Sequence, residues 1–224
     1  LELAGALEPL NGVVRLFTSS SVVTREEFRR YTAGLHERPA LIGIDWAPRV
    51  PGDARERFEA TVRAGGLADY TVFDSDADGS RRPSPPRAEH FPVLYSEPMW
   101  LNDEALGLDH AQSPERRAAM MRALEVPGSV HVVRDELLRT QRSSLLVFLP
   151  VLSPGDESLG GYVVGVLDLQ HLLDDLTRLA QAQALAFRVR DVSPGAASRV
   201  LYDTLPTQAT PEVSRELQIG GLVW

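Results

Sequence analysis

The sequence predicts an α+β fold in which a helical stalk precedes two antiparallel-sheet lobes. Three observations lead there. Apolar residues at the start recur at alternating spacings of four and three, a helical period. Short apolar runs bounded by Gly, Pro and Asp then interleave with capped helical segments. The turn-rich stretch Ser153-Pro154-Gly155-Asp156 divides the later strands into two groups. The boundaries drawn this way are 1–38 for the stalk, 39–152 for a first lobe and 153–224 for a smaller second lobe.

In the stalk, Leu3, Leu7, Leu10, Val14 and Phe17 form a heptad seam, the pattern of a helix packing along another helix. The seam is short and Pro9 interrupts it, so an ordinary amphipathic helix is the other reading. Thr24 with Glu27 makes a capping box that opens a second helix, with Phe28, Tyr31 and Leu35 on one face. Pro39 ends it, and Ala40–Trp46 reads as a buried strand. Asp53 with Glu56 caps the next helix, which Gly65-Gly66 closes. Strands at Tyr70–Phe73 and Phe91–Tyr95 flank the turn-rich Asp74–Pro86. Ser113 caps a helix with Pro114 in its first position, running through Met120, Met121 and Leu124. Strands follow at Val130–Val133 and Leu145–Leu152. Beyond the proposed linker come strand Gly161–Leu169, helix Leu172–Gln183, strands Phe187–Val192 and Arg199–Tyr202, and an incomplete strand at Glu216–Trp224.

Composition narrows the chemistry. The chain has 224 residues and a net charge of −8, which disfavours a binder of duplex nucleic acid. All 23 basic residues are Arg, and the absence of Lys removes Schiff-base, P-loop and kinase-type lysine chemistry. With no Cys, thiolate nucleophiles, zinc-thiolate sites and disulfides are also excluded. No apolar run reaches the ~18 residues of a membrane span. The chain starts inside a helical pattern and ends on Gly220-Gly221-Leu222-Val223-Trp224, so further segments, membrane-spanning ones among them, are expected on both sides.

Asp74, Asp76, Asp78 and Gly79 open like a calcium loop, but the twelfth position, where a bidentate Glu belongs, is Pro85. A polar hairpin turn is the better reading. No pair among the five histidines has a metal-binding spacing, and no Gly-x-Ser-x-Gly elbow occurs. No enzyme, metal or cofactor emerges.

The middle of the chain resembles a known family. Glu27-Phe28, Tyr31-Thr32 and Arg38-Pro39-Ala40-Leu41 lead into Gly43-Ile44-Asp45-Trp46-Ala47-Pro48-Arg49-Val50. Arg55, Phe58-Glu59 and Arg63 follow, then Phe91-Pro92-Val93-Leu94-Tyr95-Ser96-Glu97-Pro98. Asn102, Ala105, Leu106-Gly107-Leu108-Asp109, Ser113-Pro114, Arg116-Arg117 and Phe148-Leu149-Pro150-Val151 complete the series. In order and spacing, over roughly residues 24–170, these resemble the CHASE domain, a sensory module of cyclases and histidine kinases that also occurs in plant cytokinin receptors.

The resemblance implies that the two lobes are PAS-like, with a membrane-distal lobe holding a small ligand and a proximal lobe leading back to the membrane. It implies a periplasmic module of a homodimeric receptor, anchored by flanking helices, with a cyclase or kinase output. On that reading Arg87, His90 and His131 orient the ligand, and Tyr95, Met120, Val133 and Phe148 wall it. Plain core packing is the other reading for most of them. In the plant receptors an aspartate holds the adenine ring; here it falls on Ala88, so adenine-type cytokinins are not expected to bind. Arg87 and the histidines favour a small organic anion. The competing reading is a dimerisation or partner-docking ectodomain with no small-molecule ligand.

Overall fold

A computed structural model describes residues 3–35, 40–76, 78–99, 103–125, 132–136, 143–153, 155, 157–182, 186–192, 199–204, 218–219 and 222–223. Helices α1 (Leu3–Ser19) and α2 (Arg25–Thr32) lead to strands β1 (Leu41–Pro48) and β2 (Val50–Pro51), then to helix α3 (Arg55–Ala64). Short strands β3 (Phe73–Ser75), β4 (Arg81–Pro83), β5 (Glu89–His90) and β6 (Tyr95–Glu97) come next, followed by helix α4 (Pro114–Glu125). Strands β7 (Val132–Glu136), β8 (Ser143–Leu152) and β9 (Leu159–Asp168) precede helix α5 (Leu169–Ala182). Two small hairpins follow, β10 (Arg188–Asp191) with β11 (Arg199–Asp203), and β12 (Gln218–Ile219) with β13 (Leu222–Val223).

The central sheet has five antiparallel strands in the order β6-β1-β9-β8-β7. β9 lies between β1 and β8 and is buried along almost its whole length. Such a strand reads as a continuous apolar run because both faces are covered. Val163 and Leu167 join the cluster formed with α1, α2 and α5. Tyr162, Val164 and Val166 join the opposite cluster, which includes Phe91, Ala119 and Met120. The fold is therefore α+β, with helices on both faces of an antiparallel sheet. This arrangement moves the expected lobe boundary. Ser153-Pro154-Gly155-Asp156 belongs to the connection between β8 and β9, closed by Ser153 N–H donating to the Ser158 carbonyl at 2.7 Å. Residues 159–182 thus complete the first lobe instead of opening the second. A turn signal alone does not say whether the chain leaves the sheet or returns to it.

The α1 heptad has a cause other than a dimer seam. Leu10, Val13 and Phe17 are buried in the protein's own core, with Leu7 and Val14 partly buried against it. Leu10 sits over Gly165 of β9, where an added Cβ would lie 2.4 Å from Leu10 Cδ1. Glycine lets the leucine approach this closely without being displaced. Phe17 stacks on Trp46 of β1, with ring centroids 3.9 Å apart. A helix laid on a sheet shows the same three-four spacing as one laid on another helix, so the period could not distinguish them. Leu3, the first seam position, opens the helix, which continues through Pro9.

Local signals fared unevenly. The capping box at α2 is formed, with Glu27 N–H donating to Thr24 Oγ1 at 3.2 Å and Thr24 N–H to the Glu27 carboxylate at 2.8 Å. Ser113 Oγ accepts from Arg116 N–H at 3.2 Å as α4 begins at Pro114. Asp53 does not cap α3, because a tight turn at Gly52–Ala54 precedes the helix and puts Ala54 at its boundary. The strand expected at Tyr70–Phe73 starts at Phe73, and the C-terminal strand is a hairpin of two short strands.

Candidate functional site

A cavity of about 420 Å³ lies on the α4 face of the sheet. Leu159 and Tyr162 of β9, with Phe91, line one side, and Ala111 with Met120, Met121 and Leu124 of α4 lines the other. Arg87, Ala88, Glu89 and Arg117 supply the rest of the lining. Helix and sheet are tied here. The Tyr162 hydroxyl donates to the Met120 carbonyl at 2.9 Å, and its ring meets Phe91 edge-on at 5.3 Å. Burial raises the pKa of the Tyr162 phenol, so it stays a neutral donor at physiological pH. Volume and mostly apolar walls are those of a small-molecule pocket.

Behind the wall carrying Arg87–Phe91 lies a buried charge network. Asp109 is fully buried and accepts from the N–H groups of Phe91 and Ala111, each at 2.9 Å. Its Oδ2 also accepts from His90 Nδ1 at 2.7 Å and from Arg87 Nη1 at 3.0 Å. The Arg87 guanidinium grips Asp74 in a two-point fork, Nη1 to Oδ1 at 2.9 Å and Nη2 to Oδ2 at 2.7 Å. Ser84 Oγ donates to Asp74 as well. Burial pushes both carboxyls up, but these hydrogen bonds outweigh it and hold each below the ordinary range. Asp109 thereby fixes two backbone groups that shape the cavity. Gly52 closes the outside of the same wall: its N–H donates to the Ala88 carbonyl at 2.8 Å, and a Cβ there would come within 2.0 Å of the Arg87 carbonyl oxygen.

Next to this network, His110 is buried with its ring edge-on to Phe148 at 5.3 Å. Arg116 Nη1 donates to its Nδ1 at 3.3 Å. Nε2 therefore carries the proton, and it has no hydrogen-bond partner. Burial and the neighbouring Arg116 cation lower its pKa to about 3, so the ring is neutral.

The structure divides the expected ligand residues. Met120 lines the cavity, as does Arg87, whose charge is already committed to Asp74 and Asp109. His90 is buried behind the wall as a partner of Asp109, and Phe148 is core beneath it. Val133 is half-buried against that same core. Tyr95 lies on the other face, near Phe28 at 5.5 Å, with its hydroxyl donating to the Val23 carbonyl at 3.1 Å. His131 lies outside the described residues. The three loop carboxylates have partners: Asp74 as above, Asp76 to Arg82 at 2.8 Å, and Asp78 to the Ser80 N–H at 2.9 Å. Tyr162, Phe91 and Ala111 were missed as lining. The first two sit in visible apolar runs, but nothing in the sequence says which face the cavity occupies.

A model of the CHASE domain matches residues 21–202. Histidine kinase 3 of Arabidopsis thaliana is 27% identical over 202 residues, covering 82% of this chain and 19% of that protein. Probable histidine kinase 4 of Oryza sativa subsp. japonica is 30% identical over 177 residues, covering 74% of the chain and 16% of its own length. The chain thus spans less than a fifth of the kinases it matches. Among solved structures, the ligand-binding domain of an amino-acid chemoreceptor of Pseudomonas aeruginosa, in complex with GABA, is 15% identical with a TM-score of 0.47. That match covers 99% of this chain and 81% of the other.

Proposed function

This chain belongs to the CHASE domain family, and on that premise we propose that it is the periplasmic ligand-sensing domain of a transmembrane receptor. The domain is sensory and not catalytic. A cyclase or a histidine kinase is the output it serves, through flanking membrane segments and a homodimeric arrangement. Among the described residues, no helix is long and apolar enough to cross a membrane. The observation that carries the reading is the cavity of about 420 Å³ between α4 and the sheet. Ala88, where the resemblance places the plant receptors' aspartate, lines that cavity and brings only a methyl group.

A sensor works only if the ligand binds one arrangement better than another. β9 supplies a mechanical link. Its Tyr162 side faces the cavity while its Gly165 carries Leu10 of α1 on the other face. Closing α4 onto a ligand shifts β9, and α1 reports the shift toward the membrane.

The test is a thermal-shift screen of small metabolites on the chain and on its Ala88→Trp variant. A ligand at a hundredfold excess over its Kd adds about 2.7 kcal/mol to the native state, a rise of several degrees in Tm. The reading expects a compound that raises Tm saturably in the wild type and not in the variant. A flat screen across all metabolite classes would favour the partner-docking ectodomain.

A further inference from the structure

The charges around the cavity specify what it accepts. Holding an anionic ligand inside the cavity requires an enclosed cation whose bonds are not already taken, because water screens a charge at the rim. Arg87 is the most enclosed cation of the lining, and both of its terminal nitrogens are held by carboxylates that are almost fully buried. A carboxylate ligand drawn to Arg87 would have to displace Asp74 or Asp109, leaving that group charged and uncompensated in the core. It would also approach two fixed negative charges. Glu89, the lining carboxylate, is paired with Arg49 at 2.6 Å. Arg117 lies at the exposed rim and donates to the Ala111 carbonyl.

The rest of the lining is apolar and adaptable. Phe91 and Tyr162 contribute aromatic rings, and Met120 and Met121 offer polarisable thioethers that mould to flat or branched groups. Met121 is 61% exposed and Leu124 41% exposed. Both are at the cavity, so an apolar occupant covers surface that the protein itself leaves open.

We infer that this cavity takes a neutral small molecule with an apolar, ring-sized body, not the small organic anion that the sequence suggested. The inference rests on the sensing reading and narrows it to a ligand class. The occupant slides between β9 and α4 and is held by area burial, with the Asp74–Arg87–Asp109 network acting as the rigid wall behind it.

A matched pair of fluorescent probes tests this. N-phenyl-1-naphthylamine is neutral, and 8-anilino-1-naphthalenesulfonate has the same ring skeleton with one sulfonate. Both are titrated into the 224-residue chain, into Ala88→Trp, which fills the rim, and into Met121→Glu, which puts a charge on the opposite wall. Circular dichroism confirms that each variant is folded, and either variant suffices if the other is not. The neutral probe is expected to bind one per chain and to weaken at least tenfold in the variants. Any variant-sensitive binding of the sulfonate should be at least tenfold weaker than that of the neutral probe. Variant-sensitive sulfonate binding as tight as the neutral probe's would overturn the ligand class and leave sensing intact. If neither probe shows variant-sensitive binding, the cavity is not a ligand site, and both the class and the sensing assignment fall.

Discussion

Arg87 shows how a residue's neighbourhood can be legible while its partners are not. Its place beside the aromatic strand was legible, but the two carboxylates that claim it come from positions 13 and 22 residues further away in either direction. Such long-range pairing leaves no local pattern. Arg87→Ala should lower stability by about 3 kcal/mol, because it takes the shared cation from Asp74 and Asp109 and leaves both carboxylates buried with hydrogen-bond donors only partly replacing it. Urea unfolding measures this, and a loss under about 1 kcal/mol would be inconsistent with a structural role. His110 makes a second prediction. It is neutral in the fold with a pKa near 3, whereas an unfolded histidine titrates near 6.5. The unfolded chain therefore gains its proton first, so stability falls as pH drops below about 6.5, by at most about 1.4 kcal/mol per pH unit from this group. Asp74 and Asp109, held low, add their own loss only as pH falls through the ordinary carboxylate range near 4 and below. His110→Gln should flatten the stability profile between pH 6.5 and 4.5. An unchanged slope would mean that His110 is not the titrating group there.

Elements were more legible than sites, for a physical reason. The Thr24–Glu27 box and the Ser113-Pro114 start depend on residues within one turn of each other, and both formed. Asp53 failed as a cap because Gly52 must approach the Arg87–Ala88 backbone, a tertiary demand that overrides the local motif. Helix α1 is the clearest case of a pattern with two physical origins. If Leu10 lay at a dimer seam, Leu10→Asp would weaken self-association and leave the monomer folded. Packed against Gly165 inside the core, the same change should instead unfold the domain at any protein concentration. Circular dichroism with sedimentation separates the outcomes, and a well-folded Leu10→Asp monomer would restore the seam.

At the scale of the whole molecule, the sheet separates two tasks. One face holds the cavity under α4, and the other holds α1. The order of strands, helices and family motifs along the chain is enough to identify an antiparallel α+β sensory domain. Which face bears the cavity was not legible, because a period-two strand buried on both sides looks the same from either. β9 joins the faces, and the proposed signal depends on it. Hydrogen exchange of the chain with and without saturating N-phenyl-1-naphthylamine, set beside Ala88→Trp under the same conditions, tests that claim most directly. The predicted result is added protection in residues 114–125, in β9 and in residues 7–17 of α1, all absent from the variant. Protection confined to α4, with β9 and α1 unchanged, would contradict a sensor that speaks through its sheet.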